Sequence, residues 1–404
     1  MFNLEKAIKA IRQENLDGWL FYNVEHRDRI SDLILGIYEQ AVNSRPWIYV
    51  VFARADPVKL VHTIEAGILD TLPGRKFVYS SWDEYLTLIK RIGKGGRGRR
   101  LGLNFSRWNP FASFVDYGTV ETIKASGFDV FPGDNLINRF LGTLSRDEIR
   151  SHEEAARFLY RIVFDIWGRL EEALKAGNSP REVDVQSWIT GYFGEYGLVA
   201  EDSPIVAVGK NSGDPHYETG CSGGVGGESG VIKRGMIVQF DLWARLEKVS
   251  YLEDSLPVYA DISWVGYTGK DIPDRYVKAF EVVCSARDRG VDFINRKLAS
   301  GKTVTGAEVD AVVRSVVVEA GYGDYLRHRT GHSIGSRVHG FGVNLDSIEF
   351  PDRRKLMEGS CFSVEPGVYF PDFGVRTEID VYIDGGKAVI SGGSPQHKIL
   401  TMDL

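Results

Sequence analysis

Four carboxylates and one imidazole recur in a set order along the chain: Asp241, Asp261, His332, Glu365 and Glu378. Each lies in, or at the end of, a segment that alternates apolar and polar residues, the mark of a strand with one buried face. Met236, Val238, Phe240 and Leu242 put Asp241 on the opposite face, and Ile262 and Trp264 do the same for Asp261. Phe362 and Val364 oppose Glu365, while Val375, Thr377, Ile379 and Val381 oppose Arg376, Glu378 and Asp380. Carboxylates that project from several strands into one polar space repel one another, so the cluster calls for cations. Four negative charges balance two dications, and one imidazole nitrogen favours Mn, Fe, Co or Zn over Ca or Mg. The chemistry expected is that of a two-metal hydrolase.

These strands need a frame. Ser145 and Glu148 have the spacing of a capping box for a long helix over Asp147–Lys175, closed by Gly177. Beyond it the chain repeats itself. GNSPREVDVQSWITGYFGEYG (177–197) resembles GKTVTGAEVDAVVRSVVVEAGYG (301–323) in its opening glycine, its Glu-Val-Asp triplet and its Tyr-Gly end. Each stretch follows a long helix, the second over Asp274–Leu298, and each leads to a histidine, His216 and His332. The order helix, helix, strand, histidine, met twice, predicts a duplicated half-domain with a site at its pseudo-twofold junction. Upstream, Gly18–Tyr22, Trp47–Phe52 and Lys59–His62 read as strands among short helices. The expected division is an α/β domain over 1–144 and an α+β catalytic domain over 145–404, with the boundary at Gly142–Ser145.

Length and composition agree with this division. A chain of 404 residues exceeds one ordinary core, and its 43% hydrophobic and 26% charged residues are those of a globular protein. A net charge of −6 argues against nucleic acid as a partner. The basic stretch Arg91–Arg100 is rich in glycine and reads as a loop before a strand over Leu101–Phe105, and the glycine-rich Gly220–Gly230 reads as a loop beside the site. The latter lacks the Lys-Ser/Thr of a phosphate-binding loop. Cys221, Cys284 and Cys361 show no paired spacing, which fits a reducing compartment. No apolar stretch approaches the roughly 18–20 residues of a membrane span, and the N-terminus lacks an apolar signal core. The expectation is a cytoplasmic protein without membrane attachment.

The segments DLW, ADIS, HRTGHSIG, VEPGVY and GVRTEID, in this order, closely resemble the pita-bread metallopeptidases, a family that includes prolidase, aminopeptidase P and methionine aminopeptidase. LDGWLFYN resembles the smaller amino-terminal domain of the prolidase, aminopeptidase P and creatinase branch. The resemblance implies two divalent metal ions, manganese first, with cobalt, zinc or iron as alternatives. Asp241 would be a bidentate ligand, Asp261 and Glu378 would bridge, His332 would hold the second metal, and Glu365 would be both ligand and proton shuttle. His216, His328 and His339 match positions that contact the substrate. Arg376 would orient Glu378 or accept an anionic end of the substrate. A metal-bridging hydroxide would attack a peptide carbonyl, as in an Xaa-Pro aminopeptidase or dipeptidase acting on short peptides. A homodimer is implied by the same branch.

The chain also departs from the pattern. Asp241 and Asp261 are further apart than usual, with an insertion over Arg245–Pro257 in which Glu253 or Asp254 competes for the second ligand position. Trp264 stands where an arginine often follows the aspartate, and Ile379 where an acidic residue often follows the last ligand. The alternative is a creatinase-like or N-acyl amino acid hydrolase or lyase acting on a small amide; the five retained ligands count against the creatinase type, and the insertion and Trp264 together favour a metal-retaining amide hydrolase or lyase. A catalytically dead binding module would have lost ligands, and this chain retains all five.

Overall fold

The computed structural model describes residues 2–37, 40–93, 99–220, 229–252 and 255–404. Two compact units are present, Met1–Leu141 and Gly142–Leu404. Among the described residues no helix is long and apolar enough to cross a membrane.

In the first unit, β1 (Gly18–Asn23), β2 (Trp47–Phe52), β3 (Val58–His62), β4 (Arg75–Tyr79), β5 (Arg99–Leu103) and β6 (Phe128–Pro132) form one sheet in the order β4-β3-β2-β1-β5-β6. The helices are α1 (Leu4–Gln13), α2 (Arg29–Leu35), α3 (Trp82–Gly93), α4 (Tyr117–Ala125) and α5 (Asp134–Leu141). Leu20, Val50, Leu101 and Leu103 pack on Tyr85 and Ile89 of α3 and on Val120 and Ile123 of α4. On the alternate positions, Trp19 and Phe21 lie with ring centroids 4.5 Å apart. All of β2 is buried, which is why WIYVVF reads as one apolar run rather than an alternation. The strand expected over Leu101–Phe105 instead runs from Arg99 to Leu103. Part of the basic stretch Arg91–Arg100 lies outside the described residues.

The second unit opens with α6 (Arg146–Lys175), in which the Ser145–Glu148 capping box forms as expected. Then come α7 (Glu182–Glu195), β7 (Leu198–Val199), β8 (Ile205–Val208), β9 (Ile237–Leu246) and β10 (Ala260–Tyr267). The second half repeats the plan with α8 (Asp274–Ala299), α9 (Gly306–Glu319), β11 (Cys361–Val364), β12 (Gly367–Tyr369), β13 (Gly374–Arg376), β14 (Ile379–Asp384) and β15 (Lys387–Ile390). β9 and β10 pair antiparallel, with β7 and β8 also on β9, and β14 pairs with both β11 and β15. One core packs α6 and α7 on β9 and β10, and another packs α8 and α9 on β11, β13 and β14.

The duplication is visible in backbone pairing. Arg181 bridges Val231 just before α7, and Thr305 bridges Lys355 just before α9. Ile232 N–H donates to the Pro180 carbonyl, and Leu356 N–H to the Val304 carbonyl. Gly177 and Gly301, Gly197 and Gly321, and Gly235 and Gly359 are paired left-handed residues. Every one of these pairs has the same separation in sequence as Asp241 and Glu365. That spacing sets Asp184 against Glu308, each accepting from the backbone N–H at its helix N-cap. The Glu-Val-Asp triplets are therefore out of register by two residues, because α7 starts on Glu182 whereas α9 starts at Gly306, two residues before Glu308.

Two strand readings change. β9 and β10 are buried on both faces along most of their length rather than half-buried, because the face opposite the helices is covered by the second half of the unit. The single strand expected over Val375–Val381 is two strands, β13 paired with β12 and β14 paired with β11, and Glu378 lies in the break between them.

Candidate metal centre

Alternation places the donors. On β9 the side chains of Val238, Phe240, Leu242 and Ala244 enter the core beneath α6, as do Ala260, Ile262 and Trp264 of β10. Asp241 and Asp261 take the other face and line a cavity of about 610 Å³ with His332, Glu365, Arg376 and Glu378. His332 is held by its N–H to Ser363 Oγ (3.0 Å), and Glu365 by its N–H to the Thr330 carbonyl (2.7 Å). Glu378 N–H donates to the Ser263 carbonyl at 3.2 Å, which fixes the break between β13 and β14 against β10.

The five residues named from sequence converge. Donor atoms of Asp261, His332 and Glu378, all buried, lie within 4.8 Å of one another. His332 Nε2 is 3.5 Å from Asp261 Oδ2 and 3.6 Å from Glu365 Oε1. Asp241 and Glu378 share the hydroxyl of Ser263, at 2.7 and 2.8 Å. Arg376 reaches the same hydroxyl through Nε at 3.0 Å and Asp241 Oδ2 through Nη2.

The donor set fits divalent metal. With Nδ1 donating to the Ser333 carbonyl (3.2 Å), His332 Nε2 turns its lone pair on two carboxylate oxygens. Such a meeting of acceptors is stable only around a proton or a cation. Asp261 Oδ1 is buried without a hydrogen-bond donor among the described residues. Burial, with the charges of Asp241 and Glu365, holds the Asp261 carboxyl well above its ordinary range, and burial with Asp261 and Glu365 does the same to Glu378. Burial also raises Glu365 and lowers His332. Carboxylates costly to ionise beside a neutral imidazole are a donor set that a dication reverses, since its charge favours the ionised form.

The remaining predicted residues lie around the same cavity. His216 is exposed at its edge, and His339 stacks edge-on to His332 with centroids 4.3 Å apart. His328 also lines it, but both ring nitrogens are engaged: Nδ1 with the Arg329 carbonyl (2.6 Å) and Nε2 with the Tyr369 hydroxyl (2.7 Å). Burial lowers His328 to about 4, so the ring is neutral and Tyr369 donates to it, while Tyr369 Oη accepts from Arg376 Nη1 at 2.9 Å.

Sequence reasoning passed over several residues. Trp243 lines the cavity with Ile205, Pro215 and Val338, and it shares the face of Asp241 because it is two residues on along β9. Arg329 lines the cavity half-buried, and its guanidinium has no hydrogen bond or ion pair among the described residues. Asp380 receives Asp261 N–H at 2.7 Å from behind. Trp264 is not part of the site. Its ring packs on Tyr160 and Phe164 in the helix-side core, as its alternation with Asp261 requires. The competing Glu253 and Asp254, Cys221, and most of Gly220–Gly230 lie outside the described residues.

Residues 151–385 match metallopeptidase family M24. The chain is 32% identical over 232 residues to an Xaa-Pro dipeptidase of Lactobacillus delbrueckii subsp. lactis, covering 57% of this chain and 54% of that protein, about half its length. It is 28% identical to a putative dipeptidase, YkvY, of Bacillus subtilis, over 71% of this chain and 70% of that one. A dipeptidase structure from Pyrococcus horikoshii superposes with a TM-score of 0.61 at 24% identity, covering 99% of both chains. At that identity the likeness speaks for the fold alone, and the fold it gives is the two-part pita-bread architecture anticipated from the motifs.

Proposed function

The chain belongs to metallopeptidase family M24, and from that premise we propose that it is a dinuclear metal-dependent peptidase that cleaves short peptides with proline in the second position. The observation that carries this reading is the meeting of Asp261, His332 and Glu378 within 4.8 Å at the cavity wall. Asp241, Asp261, His332, Glu365 and Glu378 would hold two divalent ions, manganese first and cobalt, zinc or iron otherwise. Metal bound there supplies Lewis acidity and lowers the pKa of water toward neutrality.

The chain's own groups do the rest. Glu365, raised by burial and receiving Ser363 Oγ at 3.2 Å, is placed to take a proton from water and deliver it to the leaving nitrogen. Arg376 holds Asp241 and fixes the Tyr369 hydroxyl that keeps His328 in one orientation. His216 and His339 meet the substrate carbonyl. Trp243, Ile205, Pro215 and Val338 form an apolar wall suited to a pyrrolidine or an aliphatic side chain. Arg329, a planar cation without a partner among the described residues, favours a free C-terminal carboxylate, hence a dipeptide. A cytosolic homodimer completes the proposal.

The test is turnover of Xaa-Pro dipeptides by protein reconstituted with Mn, Co or Zn, set against their C-terminal amides, creatine and N-acyl amino acids. Cleavage of the dipeptides with loss of activity on amidation is expected. Turnover of the small amides in place of the peptides would move the chain to the alternative chemistry.

A further inference from the structure

Two histidines at the cavity, His216 and His339, have rings without a hydrogen-bond partner among the described residues, and His339 is stacked on His332. His216 is exposed, and only its backbone is tied down, with its N–H donating to Asp214 Oδ1 at 2.9 Å. Something else must fix the loop that presents it. The chain leaves β8 at Val208 and passes through Asn211, Pro215 and His216 to Tyr217.

Glu182, the first residue of α7, has no exposed surface and belongs to neither the metal donors nor the cavity wall. Its carboxylate gathers four donors, three from residues 208–217 and one from Gly230. Oε1 accepts from Val208 N–H (2.6 Å) and Asn211 Nδ2 (3.0 Å), and Oε2 accepts from Tyr217 Oη (2.5 Å) and Gly230 N–H (2.5 Å). Backbone pairing continues the clasp, since Glu182 N–H donates to the Gly230 carbonyl at 2.9 Å. Gly230 is required here: a Cβ would stand 2.6 Å from Val208 Cγ1 and 3.2 Å from the Glu182 carboxylate. On its other side the loop is locked to β13, with Gly374 N–H donating to Ser212 Oγ at 3.0 Å. Tyr217, buried and adjacent to His216, is the link from carboxylate to imidazole.

We propose that Glu182 is a positioning residue for His216, acting through Asn211 and Tyr217, which stand on either side of it in the chain, to hold it at the cavity edge. A helix-terminal carboxylate would ordinarily cap its own helix. Here the cap is made by Asp184, which accepts the Arg181 N–H at 2.7 Å and leaves Glu182 free for the loop.

The proposal rests on the peptidase reading only in giving His216 a substrate to meet, and the experiment separates the two. Tyr217→Phe removes a single donor and keeps the buried ring, with Glu182→Gln as the second variant. The first measurement is the His216 ring signal by NMR in the full-length protein, with metal content and thermal midpoint recorded alongside. Tyr217→Phe should shift or broaden that signal while metal content stays at the wild-type value and the thermal midpoint falls by no more than the loss of one hydrogen bond to a buried carboxylate. An unchanged His216 signal in both variants overturns the proposal, whatever the protein cleaves. The second measurement is a double-mutant cycle on an Xaa-Pro dipeptide. Tyr217→Phe should lower kcat/KM on the order of ten-fold, as when a partner that orients a functional ligand is lost. In a His216→Ala background it should add nothing. Multiplying losses would mean that Glu182 supports the fold and not His216.

Discussion

The two halves of the second unit meet the same demand by opposite means. Each must bring the chain that follows its second helix to the cavity edge. In the first half a charged side chain, Glu182, stands at the start of α7 and reaches out to the loop. In the second half the position equivalent in spacing is Gly306, where a Cβ would lie 1.9 Å from the Asn344 carbonyl oxygen. There the backbone itself sits on the helix, and the gathering carboxylate is Asp310, one turn further on. Asp310 takes Thr330 N–H (3.0 Å) and Ser347 N–H (2.7 Å) and pairs with Arg314, which in turn holds the His328 carbonyl at 2.8 Å. One half is fastened by hydrogen bonds to a side chain, the other by close packing as well. Duplication preserved the donors Asp241 and Glu365 at matching places but left the fastening free to diverge.

The largest effect should come where the halves are equal. Asp261→Asn from the first half and Glu378→Gln from the second should each reduce peptide turnover to background and lower the bound metal count by elemental analysis. Asp254→Asn should leave both unchanged. A second-half substitution that spares metal would break the symmetry. Next comes the fastening: Gly306→Ala forces a methyl group into the Asn344 carbonyl and should cost about 3 kcal/mol by denaturant titration, at the upper end of overpacking penalties.

Acid should then separate the halves. An unfolded histidine takes its proton near 6.5, whereas His328 in the folded chain does so only near about 4. Between those values the unfolded chain binds more protons, so the stability this group contributes is lost as pH falls through the window. Denaturant midpoints of metal-free protein should drop more steeply on acidification for wild type than for His328→Gln, and parallel curves would refute the assignment. The smallest effect belongs to α7. Gly191 and Gly194 have open space where a methyl group would stand, so Gly191→Ala should stabilise by roughly 0.4–1 kcal/mol, the reverse of Gly306→Ala.

Much of this centre was legible in the sequence. Alternation along β9, β10 and β11 gives the face of every residue, and so places Asp241, Asp261 and Glu365 together. It also carried the answer for the two tryptophans: Trp264 shares the face of Ile262, and Trp243 that of Asp241. Rank in a motif drew attention to Trp264, while period two had already turned it toward the helices. Alternation is silent about which strand lies alongside, because pairing is non-local. The break at Thr377–Glu378 and the chain from Arg376 through Tyr369 to His328 therefore emerge only in three dimensions. The duplication was legible in outline, and its register was settled by backbone bridges that no residue type announces.

Trp243 has an optical consequence. It stands directly across from Asp261 in the β9–β10 ladder and lines the cavity, whereas Trp264 and Trp167 are packed in the helix-side core. Indole emission responds to nearby charge, so a dication arriving beside Asp261 alters the fluorescence of this ring directly. The chain has eight tryptophans, and subtracting the signal of Trp243→Phe isolates the one that watches the centre fill.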